Sequence, residues 1–521
     1  MSRAAEAEGG PIVETPSGAV RGTWERADPG AAGSGAAVET EGRGRIAVFR
    51  GIPYAEPPVG SLRFARPQPR AAWTGVREAR AFGPTPQRGE TGMTLIPEHS
   101  VPGDDTLSVN VWTPDPDPAA ALPVLVWIHG GGYISGSPAS PWYDGRAFAR
   151  DGVVLVTVSY RLGFAGFGWV EDATPNRGVL DWVCALRWVR DHIAAFGGDP
   201  SRVTIAGQSA GGGAVLTLLG VPDAAGLFSG GYAISPAVAD PSAAAARRRA
   251  LRLARLAGVT ADAAGFASVP ESKLLALQPR ITSPAAPHLL HDVHAIVRAG
   301  LLLGPVADGD VVPVDTLAAL TEGPSAGVPL VLGTADDELT GLFRPGGLLD
   351  RAPRRVLLRA LGASREAAEA WLRTRRAAEC TGSAELLGRY LSDAVFRSWV
   401  PRAAEARAVS AVAGPTWSYR FAWHPDDPPR AGHCGDVPFV FDRLDAAGVE
   451  RVAGPQPPQA LADAIHGAVV AFARDRDPGW PADTAGSGPS RIFDLPVRDE
   501  PGAYDDARTL LAAPPAQHEP A

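Results

Sequence analysis

At neutral pH a serine hydroxyl is a poor nucleophile, so a chain that uses one must hold it exposed, beside a base and close to amide donors. Gly207-Gln208-Ser209-Ala210-Gly211 has the G-x-S-x-G pattern, whose glycines permit a sharp strand-to-helix turn with the serine at its tip. The apolar run before it and the helical pattern after it, within SRVTIAGQSAGGGAVLTLLG, are the two elements that such a turn joins. A glycine-rich phosphate loop is the competing reading. The chain has no G-x-x-x-x-G-K-[ST], and no G-x-G-x-x-G in register with an acidic ribose ligand. His129-Gly130-Gly131-Gly132 ends another apolar strand and offers backbone N–H groups with no side chains in the way. With the N–H of Ala210, those of Gly131 and Gly132 are candidates for an oxyanion hole, in which losing one donor costs about a hundred- to a thousandfold in rate.

The elements around these residues repeat a strand-and-helix alternation. PVLVWIHGGG (123–132) and VVLVTVSYRLG (153–163) read as short, fully apolar strands. RGVLDWVCALRWVRDHIAAFG (177–197) has apolar residues at helical spacing and a glycine stop, and the serine-bearing strand follows. Buried-looking strands joined by helices predict an α/β fold, with a large, mostly parallel sheet covered on both faces. Residues 241–299 and 351–413 are rich in Ala, Leu and Arg at helical periodicity and read as helical insertions over the sheet. PLVLGTADDELTG (329–341) and PTWSYRFAW (415–423) return to strand character, and residues 27–44 look like an exposed loop or hairpin tip.

The 521 residues, 45% hydrophobic and 20% charged, suit a large core, and 11–510 are expected to form one domain between mobile tails at 1–10 and 511–521. A net charge of −8 with no basic stripe excludes nucleic acid as an expected partner. No run approaches a membrane-spanning length and the start has no apolar leader region, so the expectation is a cytoplasmic protein without a membrane partner. Cys184, Cys380 and Cys434 are too few and too scattered for a disulfide framework or a metal site. His288, His291 and His294 raise the thought of metal, but two successive spacings of three drift around a helix and no cysteine is near.

FRGIPYAEPPVGSLRFARPQP (49–69), LSVNVWTP (107–114), PVLVWIHGGGYISGS, VSYRLGFAGF, AFGGDPSRVTIAGQSAGG and HCGDVPFVF (433–441) together resemble the type B carboxylesterase and cholinesterase family of α/β-hydrolases, from about Val13 to Phe493. The resemblance implies a serine ester hydrolase with the α/β-hydrolase fold and a catalytic triad. Its acid maps to Glu338 in Gly333-Thr334-Ala335-Asp336-Asp337-Glu338, with Asp336 and Asp337 as alternates. Its base maps to His433, which precedes GDVPFVF as the family histidine precedes a strand of that type. The chain order Ser209, Glu338, His433 fits the fold. By the same resemblance His129 is structural, Gly131, Gly132 and Ala210 hold the oxyanion, Tyr133 lines the acyl side of the substrate site, and no metal or cofactor is used.

Departures from the family pattern narrow the substrate. Thr85 and Thr106 stand where some members have a loop-closing cysteine pair, in keeping with a reducing compartment. RGETGMTLIPEHSV has no aromatic platform for a quaternary ammonium, and Gln208 replaces the glutamate that many members carry before the nucleophile. A small-molecule neutral carboxylic ester is therefore expected, contacted by Tyr133 and Gln208. The same groups could act on an amide, carbamate, lactone or thioester, and a non-catalytic binding protein is a minor alternative.

Overall fold

Alternate residues of the apolar strand Leu122–Ile128 enter two different cores, as the two-residue repeat of a strand requires. Val124, Val126 and Ile128 pack with Val179, Trp182, Val183 and Val189 of the helix Arg177–His192. Leu125 and Trp127 pack on the other side with Leu461, Ile465, Val469 and Phe472 of the helix Gln459–Asp475. A strand buried on both faces can be apolar throughout, and this one is. The computed structural model describes residues 9–27, 44–89, 95–282, 294–298, 300–343, 346, 351–425, 431–483, 486 and 488–511.

A small sheet joins β1 (Ile12–Thr15), β2 (Gly18–Arg21) and β5 (Val76–Glu78). Among the described residues the main sheet has eleven strands: β3 (Thr23–Arg26), β4 (Arg45–Pro53), β6 (Ser108–Thr113), β7 (Leu122–Ile128), β8 (Val154–Val158), β9 (Gly198–Gln208), β10 (Gly230–Ile234), β11 (Leu330–Ala335), β12 (Thr416–Phe421), β13 (Ser490–Phe493) and β14 (Arg498–Glu500). Across it the order is β14-β13-β12-β11-β10-β9-β7-β8-β6-β4-β3. Pairing is parallel from β13 to β8 and antiparallel at both ends. This is the α/β-hydrolase fold expected from the sequence. The antiparallel ends and the small sheet were not anticipated from it.

The insertions are helical. Ala243–Ala257 starts at Ser242, whose hydroxyl accepts from Ala245 N–H, and stops at Gly258, whose φ of +78° ends the helix. Residues 354–409 contain the helices Ser383–Ser392 and Trp399–Val409, joined by a π-helical turn at Asp393–Arg397. The hairpin expected at 27–44 has its strands in β3 and β4, while its tip lies outside the described residues. So do 1–8 and 512–521 of the expected tails.

One sequence expectation is corrected. Val437–Val440 is a short helix and not a strand. An apolar run of this length is ambiguous by pattern, and tertiary packing decides it. Here Phe439 meets Phe421 and Trp423, and Phe441 meets Trp127, Tyr143 and Phe148.

Candidate active site

β9 ends at Gln208 and a helix begins at Ala210, so Ser209 takes the whole reversal of direction. Its φ of +59° and ψ of −122° form a strained conformation for a residue with a side chain. Main-chain bonds hold it: Ser209 N–H donates to Ile234 O, and Ser209 O accepts from the N–H groups of Gly213 and Ala237. The residue is buried but retains 8% of its surface. Behind the turn the helix Ala210–Leu218 runs hard against β7. A β-carbon at Gly211 would collide with the Ile128 carbonyl and sit 3.0 Å from His129 O. Gly211→Ala is therefore expected to lower stability by about 1–3 kcal/mol through overpacking. By displacing the helix start it should also cut kcat about a hundredfold. Thermal melts and initial rates on one preparation measure both.

The glycines after β7 form a turn in which Gly131 and Gly132 have φ of +104° and +61°. Ser135 closes it, its N–H and hydroxyl both donating to Gly131 O at 2.9 Å. Gly136 N–H donates to Gln87 Oε1, tying the turn to the loop above it. Among the described residues the N–H groups of Gly131, Gly132 and Ala210 meet no acceptor, which suits donors for a developing oxyanion. His129 is buried, its Nδ1 2.8 Å from Gly130 O and its ring stacked on Tyr160. Burial pulls its pKa down to about 4, so it is neutral.

Tyr133 does not sit where the sequence reading put it. Its φ is +62°, its side chain is fully buried, and its ring packs on Phe167 and Trp182 behind the glycine turn. The turn reverses direction at Gly132, which sends Tyr133 into the core and leaves the next residue, Ile134, half-exposed.

A charge cluster that sequence reasoning missed divides the three candidate acids. β11 ends at Ala335 and three acids follow. Asp336 pairs with Arg397 and Arg420, each at 2.9 Å. Asp337 lies 3.4 Å from Arg376 and 3.5 Å from Arg389. Asp393, on the π-helical turn, binds Arg397 at 2.7 Å and accepts from Trp371 Nε1 at 2.8 Å. Burial opposes ionisation of Asp336, but Arg420, Arg397 and Arg376 outweigh it and hold its carboxyl below the usual range. Glu338 is left to the histidine. Its Oε1 accepts from Ala335 N–H at 2.8 Å, and its Oε2 lies 2.5 Å from His433 Nδ1. The signal for this division is present in the sequence only as arginines 39 to 84 residues downstream of Asp336 and Asp337.

His433 is carried on the segment after β12, with its N–H donating to Glu338 O at 3.3 Å. Phe396 covers one side of its ring at 4.7 Å, and the Nε2 contact is with Gln208 Nε2 at 3.3 Å. Among the described residues the hydrogen bond at Nε2 is thus made by Gln208 and not by Ser209. Burial works against a charged ring, but Cys434 and Glu338 beside it raise the proton affinity of His433 well above that of a free imidazole. Asp436 was also missed by sequence reasoning. It is buried, accepts from the Tyr419 hydroxyl at 3.2 Å, and is pushed up to about 7 by burial and the nearby Glu338.

The three cysteines are buried and unpaired. His288 and His291 lie outside the described residues, and His294 Nε2 is 2.7 Å from Ala360 O. Among the described residues no cluster of His, Cys, Asp or Glu could hold a metal ion, and no helix is long and apolar enough to cross a membrane.

The family model described as the carboxylesterase family matches residues 10–486. The chain belongs to that family. Carboxylesterases hydrolyse carboxylic esters, and this chain is such a hydrolase. It is 33% identical to the para-nitrobenzyl esterase of Bacillus subtilis (strain 168), over 96% of this chain and 98% of the relative. It is also 33% identical to the phenmedipham hydrolase of Pseudarthrobacter oxydans, over 83% of this chain and 87% of the relative. Among solved structures, a carboxylesterase of Geobacillus stearothermophilus superposes with a TM-score of 0.79 at 32% identity, covering 96% of this chain and 99% of that one.

Proposed function

We propose that this carboxylesterase works by two-step acyl transfer through Ser209, His433 and Glu338. The observation that carries the reading is the pairing of Glu338 Oε2 with His433 Nδ1 at 2.5 Å, beside a serine held in a strained strand-to-helix turn. His433 Nε2 takes the Ser209 proton as Oγ attacks the ester carbonyl, and the imidazolium then protonates the leaving alcohol. Glu338 holds the ring and stabilises its charge. The N–H groups of Gly131, Gly132 and Ala210 stabilise the oxyanion, and water repeats the attack on the acyl-enzyme. Residues 11–510 form the working unit in this reading, and the three unpaired cysteines support a cytoplasmic address.

Neutral esters of small or medium acyl groups are the proposed substrates, para-nitrobenzyl esters among them, on the likeness to the Bacillus enzyme. Hydrolysis of p-nitrophenyl esters from acetate to decanoate tests this, with turnover expected to peak within the series. A fluorophosphonate should add one label per chain, on the peptide holding Ser209. Labelling at another residue would reject the assignment.

The pH dependence follows from the sign of the His433 shift. General-base catalysis needs a neutral Nε2, so kcat/KM falls as pH drops through the pKa of His433. Because that pKa is raised, the acid limb is expected above the free-imidazole value of about 6.5. A limb below that value in the free enzyme would contradict the Glu338 contact.

A further inference from the structure

The mechanism above leaves the carboxamide of Gln208 without a task, although it is almost fully buried and ends the strand that presents the nucleophile. Its Nε2 lies 3.3 Å from His433 Nε2. Among the described residues its Oε1 is buried without a partner, on the side of Gly130, where a β-carbon would come within 3.0 Å of it. An amide nitrogen can only donate, so the contact requires an unprotonated His433 Nε2. On the opposite edge of the ring an ionised Glu338 can only accept, so Nδ1 must carry the proton. Both contacts demand one tautomer, the one with its Nε2 lone pair facing the nucleophile turn.

We propose that Gln208 is a positioning residue which, opposite Glu338, fixes neutral His433 as the Nδ1–H tautomer, and that as an uncharged donor it keeps the working pH of the base lower than a carboxylate in its place would. This rests on the triad reading given under Proposed function. The contact lies at the long end of the hydrogen-bond range, so it yields readily when Ser209 engages Nε2.

Each element packed against the ring brings one group or more to it. The turn after β11 brings the Glu338 carboxylate to Nδ1. The residues after His433 bring the Cys434 thiol and, further back, Asp436, whose carboxyl is held partly protonated near neutrality. The π-helical turn brings only the neutral ring of Phe396, and β9 brings the neutral Gln208 amide. A carboxylate at position 208 would therefore add a charge on the Nε2 side, where the facing amide is neutral.

The test is the pH profile of kcat/KM for p-nitrophenyl acetate with wild type, Gln208→Glu, Gln208→Leu and Ser209→Ala, each checked by circular dichroism and melting. Gln208→Glu is expected to move the acid limb up by about 1–3 pH units. Gln208→Leu should raise the limb by less than about one unit, since it removes a hydrogen bond that only the neutral ring accepts, and lower plateau kcat about two- to tenfold with little change in KM. A limb in folded Gln208→Glu within a few tenths of a unit of wild type overturns the proposal. If that variant does not fold, an undiminished plateau in Gln208→Leu overturns it. Retained turnover in Ser209→Ala would instead reject the triad reading itself, so the two failures are distinguishable.

Discussion

Ser209→Ala is expected to lower kcat on p-nitrophenyl acetate by on the order of a millionfold with the fold unchanged. The size follows from the chemistry: without Oγ no acyl-enzyme forms, and only the oxyanion donors and binding remain to assist water. Conservation of the fold follows from the structure. The bonds that hold residue 209 come from its main chain, to Ile234, Gly213 and Ala237, and alanine keeps all of them. The strain of a positive φ is likewise common to both residues. Appreciable turnover by a homogeneous, folded mutant would remove Ser209 from the mechanism.

Glu338→Gln carries the second-largest expected effect, on the order of ten-thousandfold in kcat. A glutamine can present its N–H to Nδ1, which favours the tautomer with its proton on Nε2 and so removes the base, and it withdraws the charge that stabilises the imidazolium. The neighbouring acids make the control. Asp336→Asn should keep most of the wild-type kcat but destabilise the fold by about 1–3 kcal/mol, because Arg397 and Arg420 lose a half-buried charged partner. Asp337→Asn should follow the same pattern more weakly, its arginine contacts being longer. Equal catalytic losses in Glu338→Gln and Asp336→Asn would reject the division of labour among the three acids. Rates and denaturant melts on the four proteins decide it.

The turns at Ser209 and at Gly131 and Gly132 were legible in the sequence because each is local. A strand, a turn and a helix occupy consecutive residues around Ser209, and the glycines that the turns require are written in place. The parallel centre of the sheet was legible for a similar reason, since a strand covered on both faces has no polar side to show. Family motifs extended this reading to Glu338 and His433, 129 and 224 residues beyond Ser209.

Tertiary structure decided what depends on partners distant in the chain. Three adjacent acids are equivalent by composition, and Arg376, Arg397 and Arg420 separate them by drawing Asp336 and Asp337 into a charge cluster while Glu338 pairs with His433. Tyr133 follows the glycine turn and was expected at the substrate, yet a left-handed backbone at Gly131, Gly132 and Tyr133 turns it into the core. VPFV could equally be strand or helix, and the aromatic side chains around it settled the matter. The contact between Gln208 and His433 joins residues 225 positions apart. Sequence by itself determined which groups can react and the local backbone that exposes them, because those depend on neighbours in the chain. Which acid pairs with His433, and what its Nε2 touches, were decided by packing and charge between segments that only the folded chain brings together.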